Sequence, residues 1–454
     1  MDSLSVQEIL EATEGRLLRG EPSRLIRSFS TDTRTLKPGD LFIPLKGKRF
    51  DGHDFLPEAF AKGAIGALLD PQHPTPNLRS LAPDTVLLQV EDTLQALGEI
   101  AKRWRNKYPV PLVAVTGSNG KTTTKEMIRS ILAQDRSVLA SQGTFNNLVG
   151  LPLTLLALTP FHEAAVLELG MSALGEIRRL SEIARPDIGV ITNIGEAHLE
   201  SLGSLEGVAR AKGELLSFLK GEKVAVLNLD DPYCNGLLPQ VRGRLLTFGL
   251  NEKADLRAGR IRLRKGGGTT FVLYRGEEAV PVELPATGYH NVYNALAAAA
   301  VGCAFDLPLP RIAEGLKRTS LASMRFEKRR LASGAVLIND AYNANPTSMR
   351  AAVETFFQVK EGRRAILVLG DMLELGEASK EAHLRLGQFV ARFNPDLLIT
   401  VGEESEQIGE GAIASGLPAE RVHPVKDRAE ARACLQASLS EETWVLLKAS
   451  RGMR

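Results

Sequence analysis

The run Leu112-Val113-Ala114-Val115-Thr116-Gly117-Ser118-Asn119-Gly120-Lys121-Thr122-Thr123-Thr124 constrains this chain more than any other stretch. Its apolar start reads as a strand buried on both faces. The glycines allow a tight turn, and the threonines after Lys121 open a helix. That order sets inward-turned backbone amides and a helix N-terminus at one spot, which suits phosphate oxygens. Lys121 supplies a mobile positive charge for β- and γ-phosphates, and the Thr122 hydroxyl suits Mg2+. Gly117, Ser118, Asn119, Gly120, Lys121, Thr122 and Thr123 are therefore candidate nucleotide-binding residues. Val115 stands where the usual spacing has its first glycine, so the loop is a shortened G-x-x-G-K-T. The competing reading is an ordinary glycine-rich turn with a surface lysine, and the flanking strand and helix weigh against it.

The rest of the chain reads as α/β. With 454 residues it exceeds one core, and the pattern predicts three domains, 1–108, 109–322 and 323–454. In the first, Leu41–Leu45 reads as a strand, Phe55–Ala67 as a helix, and Ala96–Tyr108 as a charged helix that ends at Pro109 and leads to the next domain. The central domain alternates strands (Leu112–Val115, Ala164–Leu169, Ile188–Asn193, Val224–Leu229) with helices, as a parallel sheet covered on both faces does. Residues 255–285 break that rhythm and predict an antiparallel hairpin around Gly266-Gly267-Gly268. The small-residue helix Asn291–Ala304 closes the domain. Strands at Val336–Asn339, Ala365–Leu369, Leu397–Val401 and Trp444–Leu447 build the third.

Charge excludes some function classes. The 56 basic and 54 acidic residues nearly cancel, which gives no nucleic-acid footprint. Cys234, Cys303 and Cys434 are scattered and odd in number, so they point to a reducing compartment rather than a disulfide frame or zinc site. The acidic, amphipathic N-terminus lacks the form of a signal peptide. The longest apolar stretch, Leu148–Phe161, contains two prolines and is shorter than the ~20 residues of a membrane helix. A soluble, cytoplasmic protein is expected, with no membrane partner and no sign of an obligate interface, hence a monomer.

Three residues downstream bear on the phosphate loop. Glu168 ends an apolar strand, where α/β sheets open onto their ligand crevice, and is placed to hold a metal. His198 lies in the loop Thr192–Glu200 after another strand and reads as metal ligand or orienting group. Lys212 sits on a helix in Ala209-Arg210-Ala211-Lys212-Gly213-Glu214. Taken singly, a strand-end glutamate is often a cap, a loop histidine solvated and a helix lysine exposed. Their order after a phosphate loop is what raises them.

With these residues in view, the chain resembles the Mur ligase family. Gly120-Lys121-Thr122, Glu168, His198, Lys212 and His290-Asn291-Val292-Tyr293-Asn294 match its motifs in order. The resemblance spans nearly the whole chain. It implies a small N-terminal α/β domain that binds UDP, a central P-loop ATPase domain and a C-terminal Rossmann-like domain that takes the incoming dipeptide. It also implies adenine contacts from Asn291 and Asn294, a phosphate contact from Arg325, a ribose contact from Asp340, and a carbamylated Lys212. Glu168, His198 and Lys212 would serve one Mg2+ and Thr122 another, with Lys121 catalytic beside them. Asn146-Asn147 looks like a substrate-side loop. Asp340-Ala341-Tyr342-Asn343-Ala344-Asn345-Pro346-Thr347-Ser348-Met349 and Leu369–Gly376 resemble the member that adds D-alanyl-D-alanine to UDP-N-acetylmuramoyl-tripeptide, with Asn343 and Asn345 on the substrate side. Ser30-Thr31-Asp32-Thr33-Arg34 and Gly47-Lys48-Arg49-Phe50-Asp51-Gly52-His53 look like UDP-sugar stretches, with Ser30, Thr31, Asp32, Gly47, Asp51 and His53 as the contacts. The chain ends at Ala449–Arg454, where family members usually carry a further helix.

The resemblance implies a reaction through an acyl phosphate: the tripeptide carboxylate attacks the γ-phosphate of ATP, and the dipeptide amine then displaces phosphate. It also implies closure on ATP about a hinge at Leu321–Met324. Three rivals stand beside this reading. They are a related amide ligase with another amine, a kinase or plain ATPase, and a non-catalytic protein that keeps the fold.

Overall fold

A computed structural model describes residues 2–47, 49–73, 81–143 and 145–453. Lys48, in the UDP-sugar stretch, and Arg454 lie outside the described residues. The chain divides into two compact units. One comprises Met1–Ala114, Arg136–Met171 and Glu176–Pro186; the other comprises Val115–Asp135, Ser172–Gly175 and Asp187–Arg454.

In the first unit a five-stranded sheet runs Arg16–Arg19, Val86–Gln89, Gly66–Leu69, Leu41–Phe42, Phe29–Ser30. Only its first pair is antiparallel. Two expectations are corrected here. The Phe55–Ala67 helix is a turn of 3-10 helix at Gly52–Phe55 and a short helix at Leu56–Ala61, and the apolar residues beyond Gly63 enter the strand Gly66–Leu69. Periodicity alone does not separate a fully buried strand from a buried helix. The Leu41–Leu45 strand is paired only over Leu41–Phe42, and Pro44 has no N–H with which to continue the ladder.

The helix Thr93–Lys107 is capped by Asp92, which accepts from Gln95 N at 2.8 Å. It packs against the helices Val6–Thr13, Gly150–Leu155 and Glu176–Ala184. Trp104 donates its indole N–H to Leu158 O at 3.0 Å, and the buried Arg105 guanidinium donates to the carbonyls of Ala184, Tyr108 and Val110. The predicted connector is thus a buried organiser of this unit. Parallel strands Val138–Ala140 and Ala164–Glu168 complete it.

In the second unit the strands Ile188–Ile191, Lys220–Asn228, Arg242–Gly249 and Leu256–Leu263 pair in that order, all parallel. Thr269–Arg275 and Glu278–Leu284 then add antiparallel strands, so the expected hairpin is a three-stranded meander. The helix Tyr289–Ala304 is buried along nearly its whole length, which its small side chains permit.

A second sheet runs Glu327–Arg330, Val336–Asn339, Thr443–Lys448, Arg364–Gly370, Leu397–Val401, Val422–Val425. All its neighbours are parallel except the first pair. Side chains alternate between two cores: Ala365, Leu367 and Leu369 face Met349, Val353 and Phe356, while Ile366 and Val368 face Ala431 and Leu435. Period-two alternation with both faces buried is the mark of a sheet covered by helices on each side. Met324, the last residue of the predicted hinge, and Phe326 just after it both have left-handed backbones.

Candidate active site

The phosphate loop forms in the second unit as the sequence predicts. Thr116 ends the strand Leu112–Thr116, and Gly120, with φ of +83°, caps the helix Lys121–Leu132. A Cβ at Gly120 would run into the Asn294 amide, and one at Gly117 into the Thr192 hydroxyl. Both positions need glycine for conformation and for space. Lys121 Nζ donates to Gly117 O at 2.8 Å, curling over the loop.

The loop is clasped by residues 192–195, which follow the strand Ile188–Ile191. Ser118 N donates to Asn193 O at 2.9 Å and Asn119 N to Asn193 Oδ1 at 2.9 Å. The Thr192 hydroxyl donates to Asn119 O at 2.6 Å. Ser118 Oγ and Gly195 exchange two hydrogen bonds of 2.9 and 3.0 Å. Asp231 holds this clasp, accepting from Ile194 N at 2.7 Å while capping the helix Pro232–Leu237. Sequence reading missed Asp231 because its partners are backbone amides of a distant loop.

Asn291 and Asn294 lie one turn apart on the helix Tyr289–Ala304. Asn294 donates to Asn291 Oδ1 at 3.0 Å, and its own Oδ1 accepts from Thr124 Oγ1 at 3.3 Å. The neighbouring His290 imidazole is held neutral, its pKa pushed down to about 4 by burial.

The 323–454 stretch brings two further groups to the loop, Arg325 and Asn345, and holds Asp340 close by in sequence. Arg325 donates to the Thr122 hydroxyl at 2.8 Å and lies 4.2 Å over the Tyr342 ring. Its buried Nε–H has no partner among the described residues. Asn345 caps the helix Pro346–Val359 and exchanges side-chain hydrogen bonds with Asn119 at 2.9 and 3.4 Å. Asp340 accepts from Phe326 N at 2.9 Å and pairs with the buried Lys448 ammonium at 2.6 Å. Lys448 also donates to Asn343 O, and Asn343 Oδ1 accepts from Arg451 N at 3.3 Å. Tyr342 and Lys448 were not singled out from sequence, since each acts through a partner remote along the chain.

Two candidates that look bland singly are not bland here. Lys212, on the helix Leu205–Gly213, is only 2% exposed. Desolvation, and then the charge of Lys121, hold its ammonium well below the ordinary lysine range. His198 stands at the N-cap of the helix Leu199–Leu202 with φ of +56°, and its Nδ1 lies 2.7 Å from Glu374 Oε2. Cys234 is in the first turn of the Pro232–Leu237 helix. It is fully buried and its thiol is pushed up by desolvation.

The first unit holds the remaining candidates. Glu168, 1% exposed, ends its strand, and Asn146 Nδ2 donates to its Oε1 at 2.8 Å. Asn147 Oδ1 accepts from Gly150 N, the first residue of the helix Gly150–Leu155, at 2.8 Å. Ser30 is buried and its hydroxyl bonds Asp32, whose carboxylate is held below its usual range, chiefly by its hydrogen bonds to Arg34. Thr31 lies between them. Gly47 N donates to Phe50 O at 2.9 Å, closing the turn that leads to Asp51.

Asp51 bridges the edges of two stacked imidazoles, 2.7 Å from His53 Nδ1 and 2.9 Å from His73 Nε2, with ring centroids 3.9 Å apart. The trio has metal-ligand side chains, but its hydrogen bonds oppose ligation. Asp70 N donates to His53 Nε2 at 3.2 Å, so the ring proton sits on Nδ1. A cation there would force it onto Nε2, facing another donor. The histidine hydrogen bonds outweigh desolvation and hold Asp51 at about 2. A depressed carboxylate contributes stability that is complete above its unfolded pKa and lost as pH falls through the folded one. Asp51→Asn is therefore expected to lower thermal stability near neutral pH, with the gap to wild type closing as pH drops from about 4 towards 2. Thermal unfolding of both proteins across that range checks it.

Three family models match the chain: "Mur ligase family, catalytic domain" over 25–105, "Mur ligase middle domain" over 115–302 and "Mur ligase, glutamate ligase domain" over 324–451. The chain belongs to the Mur ligase family, enzymes that use ATP to form amide bonds. It is 39% identical to the UDP-N-acetylmuramoyl-tripeptide--D-alanyl-D-alanine ligase of Bacillus subtilis over 99% of this chain and 96% of that one. Identity to the Escherichia coli enzyme of the same name is 38%, over 92% and 89%. Among solved structures, MurF from Acinetobacter baumannii superimposes with a TM-score of 0.91 at 33% identity, covering 100% of this chain and 97% of that one. MurF ligase from Thermotoga maritima in complex with ADP gives 0.83 at 29%, covering 94% and 95%. Among the described residues no helix is long and apolar enough to cross a membrane.

Proposed function

We propose that this enzyme joins D-alanyl-D-alanine to UDP-N-acetylmuramoyl-tripeptide, giving the pentapeptide, ADP and phosphate in peptidoglycan precursor synthesis. The observation that carries the ligase chemistry is the phosphate loop met by Arg325 and Asn345 of the 324–451 span. A kinase loop has no need of that second span. The two substrates follow from the relatives' names and from the segment Asp340–Met349.

The chemical obstacle is that a carboxylate has no good leaving group. The tripeptide carboxylate oxygen bonds to the γ-phosphorus as the bond to ADP breaks. The dipeptide amine then adds to the acyl carbon, loses a proton, and expels phosphate. The first step brings two anions together, so Lys121 and Arg325 act by placing positive charge at the transferring phosphoryl group. Mg2+ would add charge neutralisation there. Thr122 for one ion, and Glu168, His198 and Lys212 for another, are the residues we assign to hold it.

A bare ammonium at Lys212 fits poorly as a cation ligand. Burial favours its neutral amine, which bonds to the carbon of CO2 and loses a proton, becoming an anionic carbamate. Asn291 and Asn294 are assigned to adenine, and Asp340 to ribose. Residues 1–108 are assigned to UDP through Ser30, Thr31, Asp32, Gly47, Asp51 and His53, 109–322 to ATP, and 323–454 to the dipeptide. Asn146, Asn147, Asn343 and Asn345 are assigned to the substrate side. ATP as co-substrate supports a cytoplasmic location, and we assign a monomer.

The test is phosphate release from ATP with UDP-N-acetylmuramoyl-tripeptide, with and without D-alanyl-D-alanine. Release that needs the dipeptide, with a product heavier by that unit, is expected. Release that ignores the dipeptide would point to a different amine. Nucleotide binding with no turnover would point to a non-catalytic protein.

A further inference from the structure

Glu374 belongs to the segment Leu369–Gly376, yet its carboxylate lies against the middle-domain residue His198, 2.7 Å from Nδ1. The backbones meet as well: Glu200 N donates to Glu374 O at 3.3 Å. Gly376, with φ of +56°, is so close that a Cβ would lie 3.2 Å from Glu200 Cα. Both His198 and Glu374 are left-handed, at +56° and +65°, a conformation that non-glycine residues keep only where the surroundings hold it. Two residues earlier, Glu196 reaches Arg350 at 3.2 Å and Arg385 at 3.6 Å. The whole loop carrying His198 is thus gripped by residues of the 324–451 span.

Stability does not account for the pairing. The Glu374 side chain is 59% exposed, and ion pairs that open to water contribute little. Tautomer choice does account for it. A neutral imidazole carries one N–H, and a carboxylate beside Nδ1 puts the proton there and leaves the Nε2 lone pair for a cation. The opposite tautomer offers no lone pair at Nε2.

We propose that Glu374 is a positioning residue that fixes the tautomer and ring orientation of His198, so that this ligand is set only when the segment 371–376 is seated on the loop 192–200. The inference rests on the ligase reading for its consequence in turnover, but the tautomer itself does not. Seating of the third family span and readiness of a middle-span ligand then become one event. Hydrolysis of ATP or of the acyl phosphate in an unseated enzyme is thereby disfavoured.

The test uses the full chain and two readouts. Nitrogen-15 spectra of histidine-labelled, metal-free protein, with His198 assigned among the seven histidines by His198→Gln, are expected to show Nδ1–H in wild type and its loss in Glu374→Ala. In turnover, Glu374→Ala is expected to need about 10–100-fold more Mg2+ for half-activation. Glu374→Gln, which keeps an acceptor oxygen, should fall between, and KM for D-alanyl-D-alanine should stay unchanged. An Nε2–H ring in wild type, or wild-type Mg2+ dependence in Glu374→Ala, overturns the proposal. Wild type that shows the Nδ1–H ring without dipeptide-dependent phosphate release defeats the ligase reading and supports the pairing.

Discussion

Lys121→Ala is expected to lower turnover about a thousandfold at saturating substrates while leaving the fold intact. The lysine stands at the first position of its helix, and its ammonium is held by the carbonyls of Gly117 and Ser118, at 2.8 and 3.4 Å. Those are bonds to the loop itself, so the charge is kept beside the site where a phosphoryl group would transfer. In the first chemical step a carboxylate approaches a triphosphate, and repulsion between them is largest at the transition state. Removing one positive charge placed for that moment forfeits stabilisation of several kcal/mol, typical for a preorganised group in a water-poor site. Lys121→Arg should not restore activity, since a planar fork does not occupy the space of a compact ammonium. The check is steady-state phosphate release, with circular dichroism to confirm folding. A folded Lys121→Ala enzyme keeping more than about a tenth of wild-type turnover would refute the role.

How far the sequence could be read depended on how local each interaction is. The phosphate loop was legible because strand, turn, lysine and helix are contiguous, and every part has a stereochemical reason to be there. The alternating strands of residues 336–447 were legible for the same reason: each apolar run is short and bounded. The segment Phe55–Ala67 was not, because helix and buried strand abut within it and the apolar pattern runs through both.

The site shows the same division. Arg325 bonds Thr122 across 203 residues, and nothing in its neighbourhood announces that; only the family resemblance pointed to it. Lys448 neutralises Asp340 across 108 residues, and Glu374 pairs with His198 from another family span. Such groups are invisible to spacing rules because the fold, not the chain, makes them neighbours. Lys212 is a subtler case: its position was legible, but its significance lies in burial, which a helix lysine does not advertise.

That burial makes Lys212→Ala the second large-effect substitution. Turnover is expected to fall by about two to three orders of magnitude, and short carboxylic acids such as acetate are expected to restore part of it. Alanine removes both the amine and the carbamate it would carry, leaving a space in which a small carboxylate supplies the missing anion. A cationic lysine would instead be replaced by added amines, so the charge type of the rescuing molecule reports the charge type of the native group. The same logic gives a check without mutation. The amine must be neutral to attack CO2, and desolvation together with the nearby Lys121 charge shifts Lys212 that way. Wild type equilibrated with carbon-13 bicarbonate should show one protein carbamate resonance, absent from Lys212→Ala, and wild type stripped of CO2 should lose activity that bicarbonate returns. Wild-type turnover in Lys212→Ala would refute any role for the side chain in turnover, and rescue by methylamine and not by acetate would show that the buried nitrogen acts as an amine.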